Sequence, residues 1–289
     1  MPGSGTYGME AVARQFATDR PVLVIRNGWF SFRWTQIFEM GGIPSSSTVL
    51  KARRTAPGRQ AAFAPAPLEE VVATIRAEKP EVVFAPHVET SAGMILPDAW
   101  LRTVADAVHE VGGLFVLDCI ASGTVWVDMV ATGVDVLVSA PQKGWSGPPC
   151  AALVMLGDEA RRRIDGTTSS SFACDLRKWM QIMEAYEAGG HAYHATMPTD
   201  ALTRLREVMQ ETRQYGFAKV RAEQQRIEGR PEVVDVGHQQ VPHAPRLQAG
   251  ERAAVPQPPQ RVAVPRRRVH QRVAPRARLR ELGQRRPVG

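Results

Sequence analysis

Two stretches, LFVLDCIASG at residues 114–123 and VDVLVSAPQK at residues 134–143, decide the fold. Each is a short run of Val, Leu and Phe that stops abruptly at polar residues, Asp118 in the first and Ser139 in the second. A run of four or five apolar residues bounded by turn-forming residues reads as a strand buried on both faces, the kind found in parallel sheets. Working outward, similar runs occur at 22–26, 48–51, 82–86 and 151–155. They alternate with 30–40, 68–78 and 100–111, where apolar residues recur every three to four positions as on one face of a helix. The alternation predicts an α/β domain with a mainly parallel sheet and helices on both faces. Open sheets of this kind place ligands at the carboxyl ends of their strands. Asp118, Ser139 and the Pro86-His87 pair stand there.

Beyond Cys174 the pattern becomes helical. A helix is expected over 176–188, then a Gly189-Gly190 break and the polar cluster His191-Ala192-Tyr193-His194-Ala195-Thr196. Pro198-Thr199-Asp200 reads as a helix start, and a charged amphipathic helix without proline runs from there to about Ile227. The expected organisation is a large domain over 1–198, one long connecting helix over 199–228 and a tail over 229–289. From Pro231 onward the tail holds no Ser, Thr, Lys, Ile, Met or aromatic residue and is dominated by Arg, Pro, Val, Ala and Gln. Such a segment cannot build a packed core. It reads either as an out-of-frame translation of GC-rich DNA, which translating the other two frames would reveal, or as a disordered basic arm.

The formal net charge of +7 belongs to that tail. Residues 231–289 hold 12 Arg against 4 acids, leaving 24 Lys+Arg against 25 Asp+Glu for the rest. The folded part therefore lacks the basic surplus of a nucleic-acid binder, and specific nucleic-acid binding is not expected. The tail, with no Phe, Tyr or Trp to stack on bases, offers phosphate contacts only. No apolar stretch is long enough to span a bilayer and no leader pattern opens the chain, so a cytoplasmic protein is expected. Cys119, Cys150 and Cys174 are widely spaced and form no CxxC pair, which argues for buried thiols rather than a disulfide framework or a zinc site.

Three features carry chemistry. Gly3-Ser4-Gly5-Thr6-Tyr7-Gly8 precedes an expected helix over 9–16, and such a turn either cradles an anion at the helix N-terminus or simply shapes the chain. A carboxylate at a buried strand end, as at Asp118, needs a partner; a helix cap or salt bridge competes with a cofactor there. Lys143 follows Asp118 by 25 positions among small and apolar neighbours (Ala140, Pro141, Gly144, Trp145, Gly147) that favour a dry site with a lowered amine pKa. Together the acid and the lysine suggest pyridoxal phosphate chemistry. There a lysine forms a Schiff base with the cofactor aldehyde, and a carboxylate keeps the pyridine nitrogen protonated.

Read in order, Gly3-Ser4-Gly5-Thr6, Asn27-Gly28-Trp29-Phe30, His87-Val88-Glu89-Thr90-Ser91-Ala92-Gly93, Asp118-Cys119-Ile120-Ala121-Ser122, Ser139-Ala140-Pro141-Gln142-Lys143 and Tyr193-His194-Ala195-Thr196-Met197-Pro198 resemble the class V aminotransferases of pyridoxal phosphate fold type I. Within that class they look like the alanine-glyoxylate and serine-glyoxylate branch. The resemblance covers roughly residues 3–228. It implies the fold type I large domain with a seven-stranded-type sheet, and pyridoxal 5'-phosphate as cofactor. Lys143 would be the Schiff-base lysine and Asp118 the pyridinium partner. Gly5, Thr6 and Gln142 would hold the phosphate, and Thr90 would lie near the phenolic oxygen. Phe30 would stack on the ring, with Trp29 as packing and Ile120 on the opposite ring face. Tyr193 and Thr196 would reach the phosphate of the neighbouring subunit, which implies a homodimer with composite sites. His87 and His194 stay open between structural and ligand roles.

The implied reaction moves an amino group from a small amino acid, alanine or serine, to a 2-oxo acid such as glyoxylate or pyruvate. The family's segment before the glycine loop and its small C-terminal domain, with the arginine that binds the substrate carboxylate, are not legible in this chain. Poor cofactor binding and little turnover are therefore expected. A non-catalytic remnant of the family, or a same-fold lyase or cysteine desulfurase, are the competing readings; a desulfurase needs a loop cysteine as nucleophile, and Cys150 and Cys174 lie in no such loop.

Overall fold

Successive residues of a strand face opposite sides of its sheet, and in this protein both sides are apolar. The computed structural model describes residues 1–228, with strands β1 (Pro21–Arg26), β2 (Ser46–Lys51), β3 (Val82–Pro86), β4 (Leu114–Asp118), β5 (Val136–Ser139) and β6 (Leu153–Leu156). Val22, Val24, Phe84, Val116 and Val138 join one core with residues of helices α1 (Gly5–Phe16), α2 (Trp29–Gly41), α6 (Asp158–Ile164) and α7 (Leu176–Glu187). Their neighbours Leu23, Ile25, Val83, Phe115, Leu117 and Leu137 join a second core with α3 (Leu68–Glu78), α4 (Asp98–Glu110) and the short α5 (Met129–Thr132). Covering both faces is what allows the central strands to be apolar throughout. Each fully buried Val, Leu, Ile or Phe contributes about 1.5–3 kcal/mol, so these two layers dominate the stability.

The strand order is β6-β5-β4-β3-β1-β2, with every neighbouring pair parallel except β5 and β6. This is the mostly parallel sheet with helices on both faces that the sequence predicts, with six strands among the described residues. From β1 the chain crosses to β2 on one side, whereas β3, β4 and β5 build up on the other. The reversal opens a crevice at the carboxyl ends, the usual ligand position of such sheets. In register, Pro86 stands beside Asp118 and Asp118 beside Val138, so β3, β4 and β5 end side by side.

Two expectations are corrected. The chain after Pro198 is two helices, α8 (Thr199–Tyr215) and α9 (Phe217–Glu228), rather than one. Gly216 between them adopts φ 103°, a backbone region that glycine alone enters at little cost, and this turns the chain. The first helix begins at Gly5 rather than Met9, so Gly5–Gly8 of the glycine-rich segment are its first turn. Gly5 and Gly8 are there for space: a Cβ on Gly5 would lie 2.4 Å from Ile120 Cδ1, and one on Gly8 3.0 Å from Val138. Only Gly3, at φ 120°, serves the turn itself. Among the described residues no helix is long and apolar enough to cross a membrane. The expected tail over 229–289, with its frameshift and nucleic-acid readings, lies outside the described residues.

Candidate functional site

Asp118 closes β4 with its side chain 7% exposed. Burial raises its pKa to about 6, against the opposing pull of the Ile120 N–H, which donates to Oδ1 at 2.9 Å, and of the Arg33 charge. No basic side chain among the described residues lies within ion-pair distance of it, so the salt-bridge reading of this acid does not hold. One strand further, the 141–145 turn carries Lys143 at the same end of the sheet. A Cβ on Gly144 would stand against the Gly123 carbonyl. That contact holds the lysine's turn against the loop that follows Asp118.

The expected dry surroundings of Lys143 are not found, because the side chain is exposed. The apolar neighbours chosen from the sequence pack elsewhere. Trp145 stacks on Trp126 at 4.9 Å and edge-on to Phe217 at 6.2 Å, and an apolar groove of about 360 Å³ between Trp145 and α8 touches none of the expected site residues. Gln142, beside the lysine, has its Oε1 buried without a hydrogen-bond partner.

The anion cradle takes shape at the N-terminus of α1. Ser4 is the N-cap but its hydroxyl caps nothing, and Thr6 is exposed in the first turn. Ile120 packs directly on Gly5, which brings the segment after Asp118 against this helix end. Uncapped N–H groups and the helix dipole at this end suit a phosphate. The donor set therefore fits pyridoxal phosphate: a buried acid for the ring nitrogen, a helix N-terminus for the phosphate and a lysine for the aldehyde.

Phe30 is positioned by a residue that the sequence did not single out for a role. Glu89, 1% exposed, accepts from the Phe30 and Ser31 amides at 3.1 and 2.9 Å and from the Ser31 and Ser91 hydroxyls at 2.6 Å each. Burial alone would raise its pKa, but the hydrogen bonds from Ser31, Ser91 and Phe30 outweigh it and hold the carboxyl below its ordinary value. Ser31 Oγ in turn accepts from the Asn27 and Gly28 amides. Glu89 and Ser31 thus cap α2 across 58 residues of sequence, a contact that no local spacing reveals. Trp29 is 64% exposed, which overturns its reading as packing. Thr90 is exposed beside Glu89.

His87 is buried, with Nδ1 2.7 Å from Ser122 Oγ. Burial first, then the charge of Arg221, pushes its pKa down to about 4, which supports the structural reading. His194 packs between Phe172 and Trp179 and bonds the Phe172 carbonyl at 2.9 Å. Tyr193 and Thr196 hydrogen-bond to each other at 3.3 Å and to none of the other expected site residues. Helix α9 docks over the same region: Thr124 Oγ1 donates to the Val220 carbonyl at 3.2 Å and Trp126 Nε1 to that of Phe217 at 3.2 Å.

Asp118 and His87 give the cofactor-free protein two opposed pH dependences. An acid with a raised folded-state pKa contributes stability that is full below about pH 4 and lost as the pH rises through about 6, on the order of 3 kcal/mol. A histidine with a depressed one contributes stability that is full above about pH 6.5 and lost as the pH falls toward about 4, again on the order of 3 kcal/mol. The two nearly cancel in the parent. Asp118→Asn is expected to leave His87 uncompensated, so that the urea midpoint falls steeply between pH 6.5 and 4; an unchanged pH slope would refute this.

Comparison with known proteins meets this geometry. No family model matches the chain. It is 29% identical over 235 residues to alanine–glyoxylate aminotransferase 1 of Saccharomyces cerevisiae, covering 76% of the chain and 57% of that protein. It is 26% identical over 227 residues to the L-aspartate–glyoxylate aminotransferase of Paracoccus denitrificans, covering 78% of the chain and 54% of that protein. The chain is thus similar to glyoxylate aminotransferases over about three quarters of its length. The crystal structure of an alanine–glyoxylate aminotransferase from Nostoc sp. superposes with a TM-score of 0.65 at 24% identity, over 78% of the chain and 57% of that structure, which shows the fold. The chain spans little more than half the length of the curated relatives it matches.

Proposed function

We propose that this protein is a pyridoxal phosphate-dependent aminotransferase that moves an amino group from a small amino acid, alanine or serine, to a 2-oxo acid such as glyoxylate or pyruvate. The observation that carries the reading is the buried, unpaired Asp118 carboxyl at the end of β4 with Lys143 just beyond the end of β5. Bound cofactor supplies an aldehyde that takes up amines and a ring that accepts carbanion electrons. Lys143 would hold the aldehyde end and, once freed by the amino donor, move the proton at the donor's α-carbon. Asp118 would hold the proton on the pyridine nitrogen. Gly5, Thr6 and Gln142 would bind the phosphate and Thr90 the phenolic oxygen, with the ring between Phe30 and Ile120.

Tyr193 and Thr196, turned to each other rather than to the other site residues, suit the expected service to a partner's site, so we read the working form as a homodimer. Residues 1–198 would form the cofactor-binding domain and the helices after Pro198 its connection onward; absence of long apolar segments from the sequence supports a cytoplasmic protein. The desulfurase reading loses ground because all three cysteines are buried, with their thiol pKa values pushed up chiefly by burial. Titration of the purified protein with pyridoxal phosphate, followed by turnover of alanine or serine with glyoxylate, tests the proposal and also checks the weak turnover expected from the sequence. A visible cofactor band and amino transfer are the expected results, and absence of cofactor binding would support the remnant instead.

A further inference from the structure

We infer that Arg33 is a ligand of the cofactor phosphate, acting with Thr6 at the N-terminus of α1; the inference rests on the function proposed above. Arg33 lies on α2 one turn after Phe30 and is half-buried. Its Nη1 donates to Thr6 Oγ1 at 3.0 Å, and its Cζ stands 5.8 Å from the centre of the Phe30 ring. The guanidinium therefore reaches from the helix that carries the stacking ring to the helix that offers the anion cradle. Its charge is also felt at Asp118, so the guanidinium lies within electrostatic reach of the end of β4.

The cation is underused as it stands. Among the described residues no carboxylate lies within 4.0 Å of it, and its remaining N–H groups make no hydrogen bond. A partly desolvated guanidinium with a single neutral partner has several donors in a planar fork still to satisfy, and a phosphate dianion matches that fork. The contact with Thr6 also orients the hydroxyl. Because Oγ1 accepts from Arg33, its own proton is left to donate to an anion on the helix end. The rival role is a counter-charge for Asp118, at the opposite end of the cofactor from its phosphate. The two roles differ in whether the phosphate matters.

The test compares pyridoxal phosphate with pyridoxal, which lacks the phosphate, for the parent, Arg33→Gln and Arg33→Lys. Binding is read by visible absorbance and by quenching of tryptophan fluorescence. Loss of a charge-assisted contact predicts that Arg33→Gln weakens pyridoxal phosphate about 10- to 100-fold while changing pyridoxal less than about 3-fold. Arg33→Lys, which keeps the charge and an aliphatic stem across Phe30, is expected to recover part of the preference. Equal weakening of both ligands, or no weakening of either, overturns the assignment and leaves the proposed function standing. A parent that binds neither ligand overturns both.

Discussion

Lys143→Ala is expected to reduce amino transfer by about 10⁴-fold or more, because it removes both the group that holds the cofactor and the base that moves the α-proton. The visible band of bound cofactor should disappear with it. Lys143→Arg is expected to fail equally, since a guanidinium stays protonated and cannot act as a nucleophilic amine. Neither change should disturb the fold. Lys143 is exposed on a turn, and surface substitutions of that kind stay within about 0.5 kcal/mol. An intact urea midpoint with absent turnover would therefore separate chemistry from folding. Residual turnover within about tenfold of the parent would remove Lys143 from the mechanism and with it the reason for the acid–lysine pairing.

Glu89→Ala is expected to be the most damaging single change near the site, lowering stability by about 3 kcal/mol, because the buried Ser31 amide and hydroxyl and the part-buried Phe30 amide lose a charged acceptor together. That is a large share of the 5–15 kcal/mol typical of a domain. Glu89→Gln keeps one acceptor oxygen and should cost about half as much. The pH dependence has a definite sign. Hydrogen bonds hold the Glu89 carboxyl below its ordinary pKa, so its contribution is present above the usual carboxylate range and is lost as the pH falls through it. Glu89→Gln should lose that acid sensitivity while keeping most of the fold. Urea unfolding at pH 7 and in the acid range measures both effects, and a loss below about 0.5 kcal/mol in Glu89→Ala would mean that α2 is capped by something else. Because Phe30 sits on the first turn so capped, cofactor affinity should fall as well.

The parts of the site legible in the sequence are those written in consecutive residues. Strand runs such as Val82–Pro86 and Val136–Ser139 are visible because burial on both faces forces continuous apolar stretches, and their polar ends are visible because the runs stop there. Asp118 and Lys143 could be paired for that reason. The roles of Glu89 and Arg33 are not legible there because their partners are distant: Glu89 caps a helix 58 residues away, and Arg33 reaches Thr6 across 27. A lone acid after a strand and a lone basic residue on an amphipathic helix carry no local signal of such partners. The environment of Lys143 is hidden for the same reason, since its largest apolar neighbour in sequence, Trp145, packs on Phe217 and α8 instead of around the amine.

By itself, then, the chain's order of residues determined the α/β class, the near-parallel sheet and which strand ends carry chemistry, because hydrophobic periodicity and turn residues act over a few positions. Tertiary structure alone decided the strand order, the antiparallel edge of β6, the break at Gly216, the exposure of Lys143 and the company of Asp118. Those depend on which surfaces meet after the chain has folded back on itself, and the energy of a cap or a buried charge is set by the partner that arrives across space.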